Sequence, residues 1–127
     1  ATLTGAIARM LGGVAAGVMA NDDAFFAKLQ AAAERAGERF WRMPDYPEYN
    51  KLIESPVADL RNTSNGVAGA ITAGLFIAAF AGDTPWLHLD IAGTAWSNSS
   101  EKEYQPAGAT GMGVATLYEL CRAMADE

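Results

Sequence analysis

The sequence has one cysteine, one histidine and few positive charges. Cys121 has no second cysteine with which to form an internal disulfide, and no Cys/His cluster offers zinc-ligand spacing, so the composition suits a reducing compartment. Nine basic side chains against fifteen acidic ones give a net charge of −6, the wrong sign for neutralising phosphates, which points away from nucleic acid. A phosphate loop G-x-x-x-x-G-K-[ST], a G-x-G-x-x-G fingerprint and a G-x-S-x-G elbow are all absent. Arg9 and four glycines interrupt the apolar opening A-T-L-T-G-A-I-A-R-M-L-G-G-V-A-A-G-V-M-A, so it fits neither a signal peptide nor a membrane span. The 127 residues, half of them apolar, are enough for one packed domain.

A-T-L-T suits an interior strand, and Gly12, Gly13 and Gly17 would let the backbone turn soon after it. A chain that opens on such a strand is expected to begin mid-fold. Asn21 is a candidate N-cap, and Phe25, Leu29, Ala32 and Ala36 recur at helical spacing, which predicts a helix over 22–36 ending at Gly37. Pro44, Pro47 and Pro56 confine the next stretch to one short helix near 47–54. Gly69, Ala70, Ala73 and Gly74 read as a helix pressed closely on a neighbour. W-L-H-L-D-I-A predicts a second strand, residues 93–111 a long loop, and residues 112–125 a helix burying Val114, Leu117, Leu120, Cys121 and Met124.

In the second strand His88 and Asp90 would point to the same face, as a base and its orienting carboxylate might. No nucleophile adjoins them, and a lone histidine in a buried strand is more often structural than catalytic. Thr2 follows Ala1 and lacks the free amine that an N-terminal threonine nucleophile needs. Asp22, Asp23, Asp45, Asp59, Asp83 and Asp126 are scattered through loops and caps, whereas a dinuclear metal site needs converging carboxylates.

Several stretches nonetheless resemble one family in order and approximate spacing. They are A-T-L-T-G-A at 1–6, W-R-M-P at 41–44 followed by Tyr49, A-D at 58–59 with Asn62, G-A-I-T-A-G at 69–74, H-L-D-I-A-G-T-A-W at 88–96 and G-A-T-G at 108–111. Together they make the chain similar to the C-terminal portion of the catalytic domain of the M17 leucyl aminopeptidases. The resemblance implies an α/β three-layer sandwich with a mixed central sheet, of which residues 1–127 would form the last part, about two strands and three to four helices. It implies a cytoplasmic, hexameric enzyme that uses two divalent metal ions, zinc or manganese, to remove N-terminal residues from peptides. The family's metal ligands, including those of an N-T-D-A-E-G-R motif, lie upstream, as do its catalytic lysine and the arginine that holds a bicarbonate. Lys28, Lys51, Lys102 and the arginines of this chain do not correspond to them, so no catalytic or metal-binding residue is assigned here.

The resemblance does carry over a substrate cradle. Thr2, Leu3 and Gly5 would supply backbone and wall contacts, with the Leu3 carbonyl toward the peptide's amino end and the Gly5 amide toward the polarised carbonyl. Ala109 would floor the pocket for the first side chain, and Ile91 would lie near the pocket for the second. The chain departs from the family after G-A-T-G, where Met112 and Gly113 replace the usual arginine and proline. The upstream half of the enzyme and peptides with a free N-terminus are the expected partners. The rival reading is a self-standing, non-enzymatic interaction module.

Overall fold

The computed structural model describes residues 3–99 and 105–125. Its centre is a strand that reads A-G-V-M-A and is buried at every position, β1 (Ala16–Ala20). A helix, α2 (Asp23–Ala36), returns the chain to a parallel strand, β2 (Phe40–Arg42), and β3 (Leu87–Asp90) pairs antiparallel on the other side, giving a mixed sheet in the order β2-β1-β3. Each face of this sheet is covered. Ile7, Met19, Met43, Ala70 and Ile71 form one core beneath α1 (Ala6–Leu11) and α3 (Gly69–Ala78). Val18, Leu29, Ala32 and Leu120 form the other beneath α2 and α4 (Val114–Ala125). Alternation along β1 divides the two sets, Met19 facing one way and Val18 the other, so the three-layer α/β arrangement follows from the strand's period.

The opening differs from its expected form. Ala1 and Thr2 lie outside the described residues, and Leu3 and Thr4 form a bend with Leu3 54% exposed. The Thr4 hydroxyl accepts the Ala6 N–H at 3.2 Å, and Gly5 takes a left-handed φ of 68°, so the local hydrogen bonding starts a helix instead of continuing a strand. The interior strand lies ten residues further on. Within it Gly17 serves close approach, not turning: a Cβ there would meet Ile7 Cδ1 at 2.7 Å.

The Asp22 side chain, not Asn21, caps α2, accepting the Phe25 N–H at 2.6 Å. Asn21 instead ties β1 to the turn before β3, donating to the Thr84 carbonyl at 2.9 Å and accepting the Trp86 N–H at 2.7 Å. Gly37, with φ 71°, closes the helix as expected. Pro47 opens a 3-10 helix (Pro47–Leu52). The close packing expected of α3 is present, since a Cβ on Gly74 would lie 2.5 Å from Met19 Cγ. The 93–111 segment is not structureless: β4 (Trp96–Ser97) and β5 (Gly108–Ala109) pair antiparallel, and with β2 they bring the strands among the described residues to five against the two expected.

The α4 helix buries a different stripe from the one expected. Leu120 and Thr116 face the core, whereas Val114, Leu117, Cys121 and Met124 are exposed. Two ties to α2 fix this rotation, the Arg35–Glu119 ion pair at 3.2 Å and the contact of Glu38 with the helix start, and α2 covers only one side of α4. Among the described residues no helix is long and apolar enough to cross a membrane.

Candidate functional site

A cavity of about 570 Å³ opens between the end of α2 and the segments flanking the β4–β5 ribbon, with Gly37, Glu38 and Arg39 on one wall and Thr94, Thr110 and Met112 on the other. A second hollow of about 330 Å³ adjoins it, sharing Gly13, Thr94, Gln105 and Thr110 and extending along Trp96–Ser99. Backbone hydrogen bonds assemble these walls. The Ile91 carbonyl accepts the N–H groups of Thr94 at 3.0 Å and Ala95 at 2.9 Å, which curls the D-I-A-G-T segment directly after β3. The Ala95 carbonyl then accepts the Thr110 N–H at 3.0 Å, and the Thr110 hydroxyl donates to the Thr94 carbonyl at 2.6 Å. Two stretches fifteen residues apart in the chain are thus held as one unit.

This geometry brings together two of the residues expected to bind substrate. Ile91 is half-buried at the root of the curl, and Ala109 is exposed in β5, paired with Trp96. Their sequence neighbours Thr94, Thr110 and Met112 supply the cavity wall. Leu3 and Gly5 lie elsewhere, at the N-terminal end of α1, where Thr4 and Ala6 approach Gly69 of α3; the C-terminal end of α1 is the one that packs on Gly93. Six helical residues separate the two ends, about 9 Å. The Gly5 carbonyl is engaged by the Ala8 N–H at 3.2 Å. Thr2 lies outside the described residues.

His88 and Asp90 do share a face, both buried, at 6% and 3% exposure. The His88 ring stacks on Trp86 with centroids 6.1 Å apart and planes within 8°. Burial pushes the His88 pKa below its ordinary value, and the Asp90 carboxylate only partly offsets this. No hydroxyl or thiol among the described residues bonds to His88 Nε2, so no nucleophile is poised on it. Asp90 is satisfied on one side only. Its Oδ1 accepts the Ala92 N–H at 3.5 Å, while Oδ2 is buried with no partner among the described residues.

Glu38 escaped the sequence reading. Its carboxylate sits at the start of α4, accepting the Gly113 N–H at 2.8 Å on Oε1 and the Thr116 N–H at 3.0 Å on Oε2, with the Thr116 hydroxyl also donating to Oε2. A carboxylate there satisfies orphan amides and complements the helix dipole. Nothing in G-E-R-F-W-R announces a partner 75 residues away. As to metals, no group of three or more His, Cys, Asp or Glu side chains converges among the described residues, so this donor set does not fit a metal centre.

Comparison with known proteins gives these features a setting. Residues 1–118 match the model of the cytosol aminopeptidase family, catalytic domain. A probable cytosol aminopeptidase of Roseiflexus castenholzii is 54% identical over 122 residues, and one of Clostridium perfringens 51% identical over 120. These alignments cover 96% and 94% of this chain but 25% and 24% of the relatives, so the chain spans about a quarter of their length. Among solved structures, the bottromycin maturation enzyme BotP in complex with Mn superposes with a TM-score of 0.92 at 39% identity, covering 98% of this chain and 28% of that one. A tomato leucine aminopeptidase mutant superposes with a TM-score of 0.82 at 44% identity, covering 93% and 22%.

Proposed function

The chain belongs to the cytosol aminopeptidase family, and from that premise we propose that it is the C-terminal part of the catalytic domain of a metal-dependent leucyl aminopeptidase. The parent enzyme removes residues from the free N-terminus of peptides with two divalent ions, zinc or manganese, which polarise the scissile carbonyl and activate water when bound. The observation that carries this reading is the family match over residues 1–118. In this reading the upstream half holds the ions, in keeping with the lack of any group of three or more His, Cys, Asp or Glu side chains among the described residues. Manganese beside the similarly folded BotP supports the metal class.

In this reading residues 1–127 shape the site. Thr2, Leu3 and Gly5 line the peptide's path, the Gly5 N–H directed at the carbonyl where charge develops, and glycine there keeps side-chain bulk away from the substrate. Ala109 floors the pocket for the first side chain, within the unit that also holds Ile91 near the second. The enzyme works in the cytoplasm as a hexamer, and the upstream half of each subunit completes its site. Equilibrium dialysis of the 127-residue chain against manganese or zinc tests the division of labour. The expected result is no stoichiometric uptake; two ions bound per chain would refute it.

The exposed apolar stripe of α4, Val114, Leu117, Cys121 and Met124, favours a second reading, a non-enzymatic interaction module. Sizing in solution separates the two. A stable 13.4 kDa monomer supports the module, and self-association or co-purification with upstream chain supports the enzyme piece.

A further inference from the structure

We propose that Glu38 is a positioning residue that sets the shape of the pocket for the substrate's first side chain. The proposal rests on the reading of Ala109 as that pocket's floor and goes beyond it by naming what holds the floor in place. Glu38 is itself well anchored. It follows Gly37 in the left-handed cap of α2, and its own N–H is bonded to the Ala33 carbonyl at 3.1 Å, so its backbone is fixed to a helix whose Leu29 and Ala32 lie in the core.

From that anchor the carboxylate reaches across the cavity wall to Gly113 and Thr116. Only Thr110, Gly111 and Met112 separate Ala109 from Gly113. The near end of this segment is held by Thr110, whose hydroxyl donates to the Thr94 carbonyl and accepts the Met112 N–H at 3.2 Å. The far end is held by Glu38. With both ends clamped the segment is held in place, and releasing Glu38 frees its far end, next to Met112, which lines the cavity.

Gly113 makes this arrangement possible. Its φ of 90° is closed to proline, whose ring fixes φ near −65°, and its N–H, which proline lacks, is the donor to Oε1. Met112 lines the same cavity.

The test uses the full-length, metal-loaded enzyme and its Glu38→Ala, Glu38→Gln and Thr116→Val variants, with kcat and KM measured on leucine, alanine and phenylalanine anilides. Glu38→Ala is expected to raise KM for the leucine substrate roughly tenfold and to flatten the preference among the three, with a smaller change in kcat, because ground-state side-chain binding is what is lost. Glu38→Gln keeps an acceptor oxygen but turns an NH₂ toward an N–H, so it should fall between wild type and Glu38→Ala. Thr116→Val removes only the hydroxyl and should have the smallest effect. Unchanged KM ratios among the three substrates in a folded Glu38→Ala enzyme would overturn the proposal, as would an equal loss of kcat on all of them. If Glu38→Ala fails to fold, the ordering of the other two variants decides. Hydrogen exchange at the Gly113 and Thr116 amides supplies a readout independent of activity: protection should fall in the Glu38→Gln variant, and undiminished protection would overturn the clamp. A wild-type enzyme that cleaves no anilide while these amides remain protected would instead defeat the aminopeptidase reading and the pocket role with it, leaving the clamp established.

Discussion

Replacing Gly93 with alanine isolates one packing contact on which the site depends. Gly93 ends the D-I-A-G stretch after β3, and the C-terminal end of α1 lies directly against it. A Cβ there would overlap the Gly12 carbonyl oxygen and lie 2.9 Å from the Gly12 carbonyl carbon and 3.2 Å from Ala8 Cα. All three atoms are backbone, so no side chain can rotate away, and α1 must move by about 1 Å to restore ordinary contact distances. Overpacking of this kind costs about 1–3 kcal/mol, and more where the neighbours cannot yield, which puts Gly93→Ala at the top of the range. Alanine's smaller loss of backbone freedom returns about 0.4–1 kcal/mol. The net cost is about 2 kcal/mol, or roughly 6–12 °C in melting temperature for a chain of this size. Gly37→Ala is the control. Its φ of 71° penalises alanine by about 1 kcal/mol, but nothing lies within 4 Å of the new methyl. Thermal unfolding followed by circular dichroism should rank wild type above Gly37→Ala and Gly37→Ala above Gly93→Ala. A Gly93→Ala protein that melts with or above the control would refute the argument.

Asp22→Ala removes the only side-chain cap of α2 and should cost about 1 kcal/mol, read as a lower urea midpoint with unchanged slope. Leu29→Ala empties a fully buried position between β1 and α4 and should cost about 3 kcal/mol in the same experiment. The lowered pKa of His88 predicts a pH dependence. The unfolded chain takes up a proton near the ordinary value of 6.5 while the folded chain resists it, so stability is full above that pH and declines as pH falls below it, until the folded histidine also protonates. His88→Gln should abolish that part of the slope between pH 7 and 5, and an unaltered slope would show that another group carries it. Asp90→Ala in the intact enzyme should lower thermal stability more than metal affinity; normal melting with lost metal binding would contradict its place in the scaffold.

What the sequence disclosed depended on how local the cause was. The α2 helix, from the carboxylates at its start to Gly37, was legible because caps and apolar period sit within it, and Asn21 was misread by one position because both it and Asp22 are good capping residues. The Leu3–Thr4 end of the opening was misread because A-T-L-T has strand-like composition while the conformation there is decided by the Thr4 hydroxyl and the left-handed Gly5. β2 was hidden in a stretch whose prolines were read as leaving room for one short helix, and its three residues become a strand only by pairing with β1. The rotation of α4 could not be read from its apolar residues, because Arg35 on α2 and Glu38 just beyond its cap bond to the face that turns inward. Around the cavity, the D-I-A-G-T and G-A-T-G motifs marked the segments that the Thr94–Thr110 hydrogen bonds join, but the Glu38 carboxylate reaches Gly113 and Thr116 by a long-range contact with no local pattern.

The central claim is that these residues shape a substrate pocket while the upstream half holds the metals. It is tested most directly by leucine anilide hydrolysis, measured on the 127-residue chain alone with manganese or zinc and again after the upstream half is added. The account predicts no release from the chain alone with either metal and metal-dependent release once the halves are combined. Metal-stimulated hydrolysis by the purified chain alone would contradict it.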